Sequence, residues 1–189
     1  LPFPESGSRP RSRAGERRPP SRSLRTGLFA WKEKYIETTK KEYELLFHMC
    51  RLSKNVYNES LYNIRQHYFL QGEYLNYNAN YPLMKTSVNY KRLGANVAQQ
   101  TMRCADAAFK SYFALLDAVK KNKFSPREIN IPKYLDKDAL YPLHLPQAQV
   151  DKDGFFLVSM SPELKQETTV RIRVKIPSKI ANKHIRQIH

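Results

Sequence analysis

Two long stretches of this 189-residue chain carry apolar residues at helical spacing, and they limit most of what it can fold into. In the first, roughly Lys40 to Gln71, Leu45, Met49, Leu52, Val56 and Leu61 mark one stripe. Thr38 and Thr39 offer hydroxyls to its first unpaired N–H groups. Gly72 and the segment EYLNYNANYP are expected to end it, since Gly and Asn tolerate left-handed backbone and Pro82 cannot continue a helix. A short helix over about Leu83–Asn89 follows. In the second long stretch, about Tyr90 to Lys121, Val97, Thr101, Ala105, Ala108, Tyr112, Leu115 and Val119 share a face. Antiparallel packing of the two helices buries both stripes.

After Lys123 the period changes. LYPLHLPQAQV, FFLVSM and TTVRIRVKI are short β-branched or aromatic runs separated by turn chemistry. Asp151-Lys152-Asp153-Gly154 reads as a hairpin turn, with Gly154 supplying the positive φ. In the last run Val170, Ile172, Val174 and Ile176 take one face of a strand, and Arg171, Arg173 and Lys175 the other. LFAWKEKYI, Leu28 to Ile36, forms one further short strand. The expected class is α+β: an antiparallel helical bundle followed by, or inserted in, a small β-module.

Residues 1–26 differ from all that follows. Their seven basic residues are all Arg, and Pro and Ser dominate with almost nothing to bury, so disorder is expected. The segment reads either as a basic arm for nucleic acid or, better, as a leader foreign to the fold, and the start at Leu1 fits a fragment. A transit peptide is disfavoured because Pro10, Pro19 and Pro20 break any amphipathic helix.

The chain holds 33 Lys and Arg against 17 Asp and Glu, a formal charge of +16, which favours a polyanionic partner. No apolar run approaches the roughly 20 residues a membrane span needs. Cys50 and Cys104, far apart and each in a helical pattern, read as buried thiols of a reducing compartment. The pairs Asp136/Asp138 and Asp151/Asp153 lie in Lys-rich turn-like sequence without a further ligand, and His48, His67, His144, His184 and His189 form no metal or catalytic motif. No chemistry, metal or cofactor is therefore expected of this chain alone.

Nucleic-acid contact has more support. Asn96, Gln99, Gln100, Arg103 and Lys110 stand off the apolar face of the second long helix, and side chains of these types bond base edges and phosphates. Periodicity leaves that face open between solvent and ligand. Tyr57, Tyr62, Tyr68, Phe69, Tyr74, Tyr77 and Tyr81 are interleaved with Asn, Arg65 and His67. Such rings stack on bases or fill a core, with the core favoured for each, less so for Tyr74 and Tyr77. Arg171, Arg173 and Lys175, about 7 Å apart along a strand, make either a solvated face or a phosphate rail.

RLSKNVYNESLYNIRQHYFLQGEYLNY, NVAQQTMRCADAAFKSYFALL and INIPKYLDKDALYPLHLPQAQV, in that order, resemble the N-terminal half of the TnpB (OrfB) proteins of insertion sequences. The recurring features are "YN" in the first long helix, "LNY" after it, an "AQQ" helix with a "D–aFKS-F–L" pattern, then "PKY" and a strand ending "LPxQ". They cover about Thr38 to Ile188. The resemblance implies a compact RNA-guided DNA endonuclease related to the type V CRISPR effectors. In that family, also known as transposases with an N-terminal helix-turn-helix, a helical recognition module is inserted in a β-barrel-like wedge module. The two hold a guide RNA and read a short motif beside the DNA target. By position, Tyr77, Asn96, Gln99, Arg103 and, in a wedge strand, Gln147 match places where the family contacts DNA.

On this reading the chain divides into a leader (1–26), a first wedge strand (27–37), a helical module (38–123) and a wedge module (124–189). The chain ends at IRQIH, so the RuvC-like nuclease domain of such a protein, with its Mg site and zinc ribbon, is expected to lie downstream and to be a missing partner. Expected partners are guide RNA and target DNA, not membrane, in a bacterial or archaeal cytoplasm. The competing reading is a stand-alone, non-catalytic DNA-binding protein, a decayed or domesticated transposase relative.

Overall fold

Thr39 begins the first element by a reciprocal pair of bonds: its Oγ1 accepts the Glu42 N–H at 3.3 Å, and the Glu42 carboxylate accepts the Thr39 N–H at 2.8 Å. From that cap α1 runs Lys40–Gln71 and ends where the Gly72 N–H reaches the Tyr68 carbonyl. The computed structural model describes residues 38–121, 129–146 and 150–176, and the backbone of 187–188. The leader, the strand expected at Leu28–Ile36 and Gln147 lie outside the described residues.

Beyond α1 come α2 (Tyr77–Lys85), α3 (Val88–Leu93), α4 (Ala95–Lys120), β1 (Leu145–Pro146), β2 (Phe155–Leu157), α5 (Pro162–Glu167), β3 (Arg173–Lys175) and β4 (Gln187–Ile188). The class is α+β, mostly helical. The strands form two antiparallel pairs, β1 with β4 and β2 with β3, and no barrel is closed among the described residues. No described helix is long and apolar enough to cross a membrane.

Several expectations need correction. The two long helices pack parallel, not antiparallel, because α2 and α3 carry the chain back to the start of α1: Ser53 of α1 bonds Thr101 of α4, and farther along Tyr68 packs on Phe113. The segment expected to be a loop before Pro82 is so only as far as Asn76: that side chain accepts the Ala79 N–H at 3.1 Å and starts α2, which contains Pro82. Proline there removes one backbone bond, while buried Asn80 and Met84 hold the helix against α1. Asn80 donates to the Ser60 carbonyl and hydroxyl and accepts from Asn63. The second long helix is two: Gly94, at φ +94°, separates α3 from α4 and lies against Ser161, the N-cap of α5. A Cβ on Gly94 would stand 3.4 Å from the Ser161 nitrogen. Arg92 of α3 then pairs with Glu167 of α5 at 2.8 Å.

The stripe of α4 also differs. Val97, Ala98, Thr101, Met102, Ala105 and Phe109 are buried, whereas Leu115, expected in the core, is 40% exposed. One core joins Met49, Leu52, Val56, Leu93, Val97 and Met102 of the helices to Leu143, Leu145, Phe156, Val158, Leu164 and Ile172, across the 123/124 boundary. A second cluster packs Tyr57, Leu61, Ile64, Leu75, Ala105 and Phe109.

Residues 129–144, in the region expected to be β, are largely without regular structure and run along α1 as a strap. Arg65 donates to the Pro132 carbonyl at 2.8 Å, and Asn58 both donates to and accepts from the Leu135 backbone at 2.9 Å. Buried Lys54 donates to the Lys137 carbonyl, and Ser53 to the Pro142 carbonyl. The α1 positions descend as the strap ascends, so its backbone groups find side-chain partners in place of a ladder. The expected turn at Asp151–Gly154 is present, with Gly154 at φ +81° and the Asp151 carboxylate accepting the Asp153 and Phe155 N–H groups.

Candidate nucleic-acid interface

Residues 96, 99 and 103 of α4 are spaced by three and four, which puts them on one side of the helix. Asn96 and Arg103 are exposed and Gln99 is half-buried. Tyr77, the first residue of α2, comes to the same place: the Arg103 guanidinium lies 4.6 Å from its ring centroid. Among the described residues no carboxylate comes within ion-pair distance of Arg103.

Two tyrosines join the rest. Tyr81 packs on Tyr77, with centroids 6.2 Å apart, and meets Tyr90 edge-on at 6.3 Å. Gln99 donates its amide to the Tyr90 hydroxyl at 3.3 Å. Burial pushes the Tyr90 phenol above its ordinary range, against the Gln99 bond, so it stays a neutral acceptor at physiological pH. Tyr77, Gln99 and Arg103 thus belong to one connected cluster, with Asn96 in the first turn of the same helix.

The cluster is anchored by Asp106, which sequence reading passed over. Its carboxylate is nearly buried: Oδ1 accepts the Tyr77 N–H at 2.9 Å and the Tyr74 hydroxyl, and Oδ2 pairs with Lys110 at 2.7 Å. Tyr77 opens α2, where N–H groups lack helical partners and a negative charge is favoured. Asp106 therefore fixes the start of α2 against α4, and with it the ring beneath Arg103. Its position midway between Arg103 and Lys110 was the available signal: an acid amid basic positions of a helix face. Lys110, left open as a ligand contact, is engaged by Asp106.

Tyr74 needs correction. Lying in a polar loop and so less expected in the core, it packs edge-on against Phe113 and tilted against Phe109, with its hydroxyl on Asp106. Burial first, then that bond, raises its phenol far above the usual value. Tyr57 stacks on Tyr141 at 4.6 Å, as a core residue. Cys50 and Cys104 are half-buried thiols pushed up by burial, Cys104 lying 3.5 Å from His144 Nε2.

The row Arg171, Arg173 and Lys175 is exposed and alternates with Ile172, Val174 and Ile176 as the pattern requires. Only Arg173 and Lys175 belong to β3. Arg173 pairs with Asp151 at 2.8 Å and covers the Phe155 ring, which Lys175 also approaches at 5.7 Å. Arg171 turns back on the Thr168 and Val170 carbonyls. The cations of this row are thus engaged by groups of the chain itself, and Asp151, a candidate metal ligand in the sequence, is taken up by its turn and by Arg173.

A planar cation held on a ring, a carboxamide beside it and a second exposed carboxamide one turn away make a face suited to base edges and phosphates. No known protein family, curated protein or solved structure matches the chain.

Proposed function

We propose that this chain is the nucleic-acid-recognising half of a TnpB-like RNA-guided DNA endonuclease, binding guide RNA and the DNA motif beside the target. The observation that supports the reading most is the gathering of Tyr77, Gln99 and Arg103, with Asn96, on the N-terminal half of α4. On this reading Arg103 and Gln99 meet the bases, Tyr77 orients Arg103, and Asn96 meets the backbone or a base edge. On the same reading the strand pairs β1–β4 and β2–β3 belong to a wedge module, Arg171, Arg173 and Lys175 follow the phosphates, and Gln147, outside the described residues, is a further DNA contact. Cutting belongs to the Mg-dependent nuclease domain of the full-length protein.

The test is target-motif selection by the full-length protein from a library of randomised flanking sequences. Gln99→Ala and Arg103→Ala should each flatten the preference at one or two positions, by about 1–3 kcal/mol per lost base contact, with unfolding temperature little changed. Unchanged selection in both variants overturns the assignment.

A further inference from the structure

The side of α1 that faces the strap carries a feature the α4 face does not use. Tyr62, Arg65 and Phe69 lie at spacings of three and four on one side of α1. Tyr62 is 54% and Phe69 59% exposed, and Tyr134 of the strap, 41% exposed, stands beside them. The Arg65 guanidinium lies 4.7 Å from the Tyr134 centroid and 5.6 Å from that of Phe69, and donates to the Pro132 carbonyl at 2.8 Å. Its cation is fixed in position, and among the described residues it has no carboxylate partner.

Tyr62 and Tyr134, with Leu83 of α2, also line an open groove of about 410 Å³ between α1, α2 and the strap. Its one acid, Glu59, is bonded to the Ser87 hydroxyl and the Asn89 amide, which temper its charge. Exposed large rings are costly to leave in water unless something covers them. Beside an unneutralised stacked arginine, in a chain of net charge +16, the complementary ligand is flat, aromatic and anionic.

We propose that this groove holds an unpaired base of a single-stranded polynucleotide, stacked on Tyr62 or Tyr134, with the adjoining phosphate on Arg65. Ring faces and one guanidinium read base and phosphate but not the sugar, so RNA and DNA strands of one sequence are accepted alike. The site shares no residue with the α4 face and stands whether or not that face reads duplex DNA.

The test uses the full 189-residue chain and fluorescent 15-nucleotide oligo-uridine and oligo-thymidine, by anisotropy in about 150 mM salt. Tyr62→Ala should weaken binding of both strands about 5- to 150-fold, the range for loss of one stacked base. Tyr62→Phe should retain it, and Leu157→Ala, which alters an exposed apolar residue of β2, should leave it unchanged. Photocrosslinking with 5-iodouracil strands should label the peptides containing Tyr62 or Tyr134. Because Tyr62 is largely exposed, its loss should spare the fold, which circular dichroism checks. Equal binding by parent and Tyr62→Ala, or crosslinks confined to the Tyr77 and α4 peptides, overturns the proposal. So does a concentration-dependent dimer that Tyr62→Ala abolishes without affecting strand binding, since the groove would then serve a second copy of the chain.

Discussion

Replacing Asp106 by Ala isolates the residue on which the α4 cluster depends. Its Oδ1 accepts the Tyr77 N–H at 2.9 Å and the Tyr74 hydroxyl, and Oδ2 pairs with Lys110, whose side chain is 63% exposed. The exposed ion pair contributes little, at most about 1 kcal/mol. Each bond to the charged carboxylate contributes about 1.5–3 kcal/mol when shielded, and less here because both are only partly buried. Asp106→Ala should thus lower unfolding free energy by about 2–4 kcal/mol. At roughly 2–4 °C per kcal/mol for a domain of this size, the unfolding temperature falls by about 4–16 °C. Asp106→Asn keeps Oδ1 as acceptor for both donors but loses the charge that strengthens those bonds and the Lys110 pair, so it should cost about 1–2 kcal/mol, less than Asp106→Ala. Urea unfolding with fitted m-values separates the two. Equal losses in both variants, or a loss below about 0.5 kcal/mol in Asp106→Ala, refute the reasoning. Amide exchange adds a local check: the Tyr77 N–H should lose protection in the Ala variant and keep it in the Asn variant.

The other predictions concern packing and backbone. Phe109→Ala should destabilise by about 3–5 kcal/mol, because that ring is fully buried, whereas Leu115→Ala should cost under about 1 kcal/mol; urea midpoints decide. Gly94→Ala should destabilise by about 1–3 kcal/mol through its φ of +94°, the new Cβ itself standing at contact distance from Ser161; thermal melts read it. Burial first, then Cys104, raises the Tyr141 phenol above its ordinary value of 10.0. The unfolded chain therefore ionises first, so the stability Tyr141 supplies is full below pH about 10 and falls as pH rises beyond it. Tyr141→Phe should reduce the loss in urea midpoint between pH 9 and pH 11, and an unchanged slope contradicts the assignment.

The parts legible in the sequence were those set by local chemistry. Thr39 and Glu42 cap α1, Gly72 ends it, and the Asp151–Gly154 turn forms, because each signal acts within a few residues. Alternation in Val170–Ile176 also held, since a pleated chain admits only two faces. What escaped depends on distant partners. Pro82 stays within α2 because Asn80 and Met84 bury against α1, and Gly94 breaks the second helix where α5 approaches. The strap fell in the stretch expected to be β because LYPLHL is a short apolar and aromatic run beside turn residues. Its backbone bonds go instead to Arg65, Asn58, Lys54 and Ser53 on α1, a match no local pattern announces. At the candidate site, periodicity put Asn96, Gln99 and Arg103 on one face. It could not show Tyr81, Tyr90 or Asp106 joining them to Tyr77, because those contacts cross three helices.

The most direct test of the functional account compares two ligands for this chain in quantitative gel shifts: a structured RNA and a random-sequence DNA duplex of equal length. At about 150 mM salt the account predicts clear preference for the RNA. Duplex binding alone should show a purely electrostatic fall of about 10³–10⁵-fold between 50 and 200 mM if 6–10 phosphates are neutralised. Weak, equal and fully salt-sensitive binding to both would contradict it.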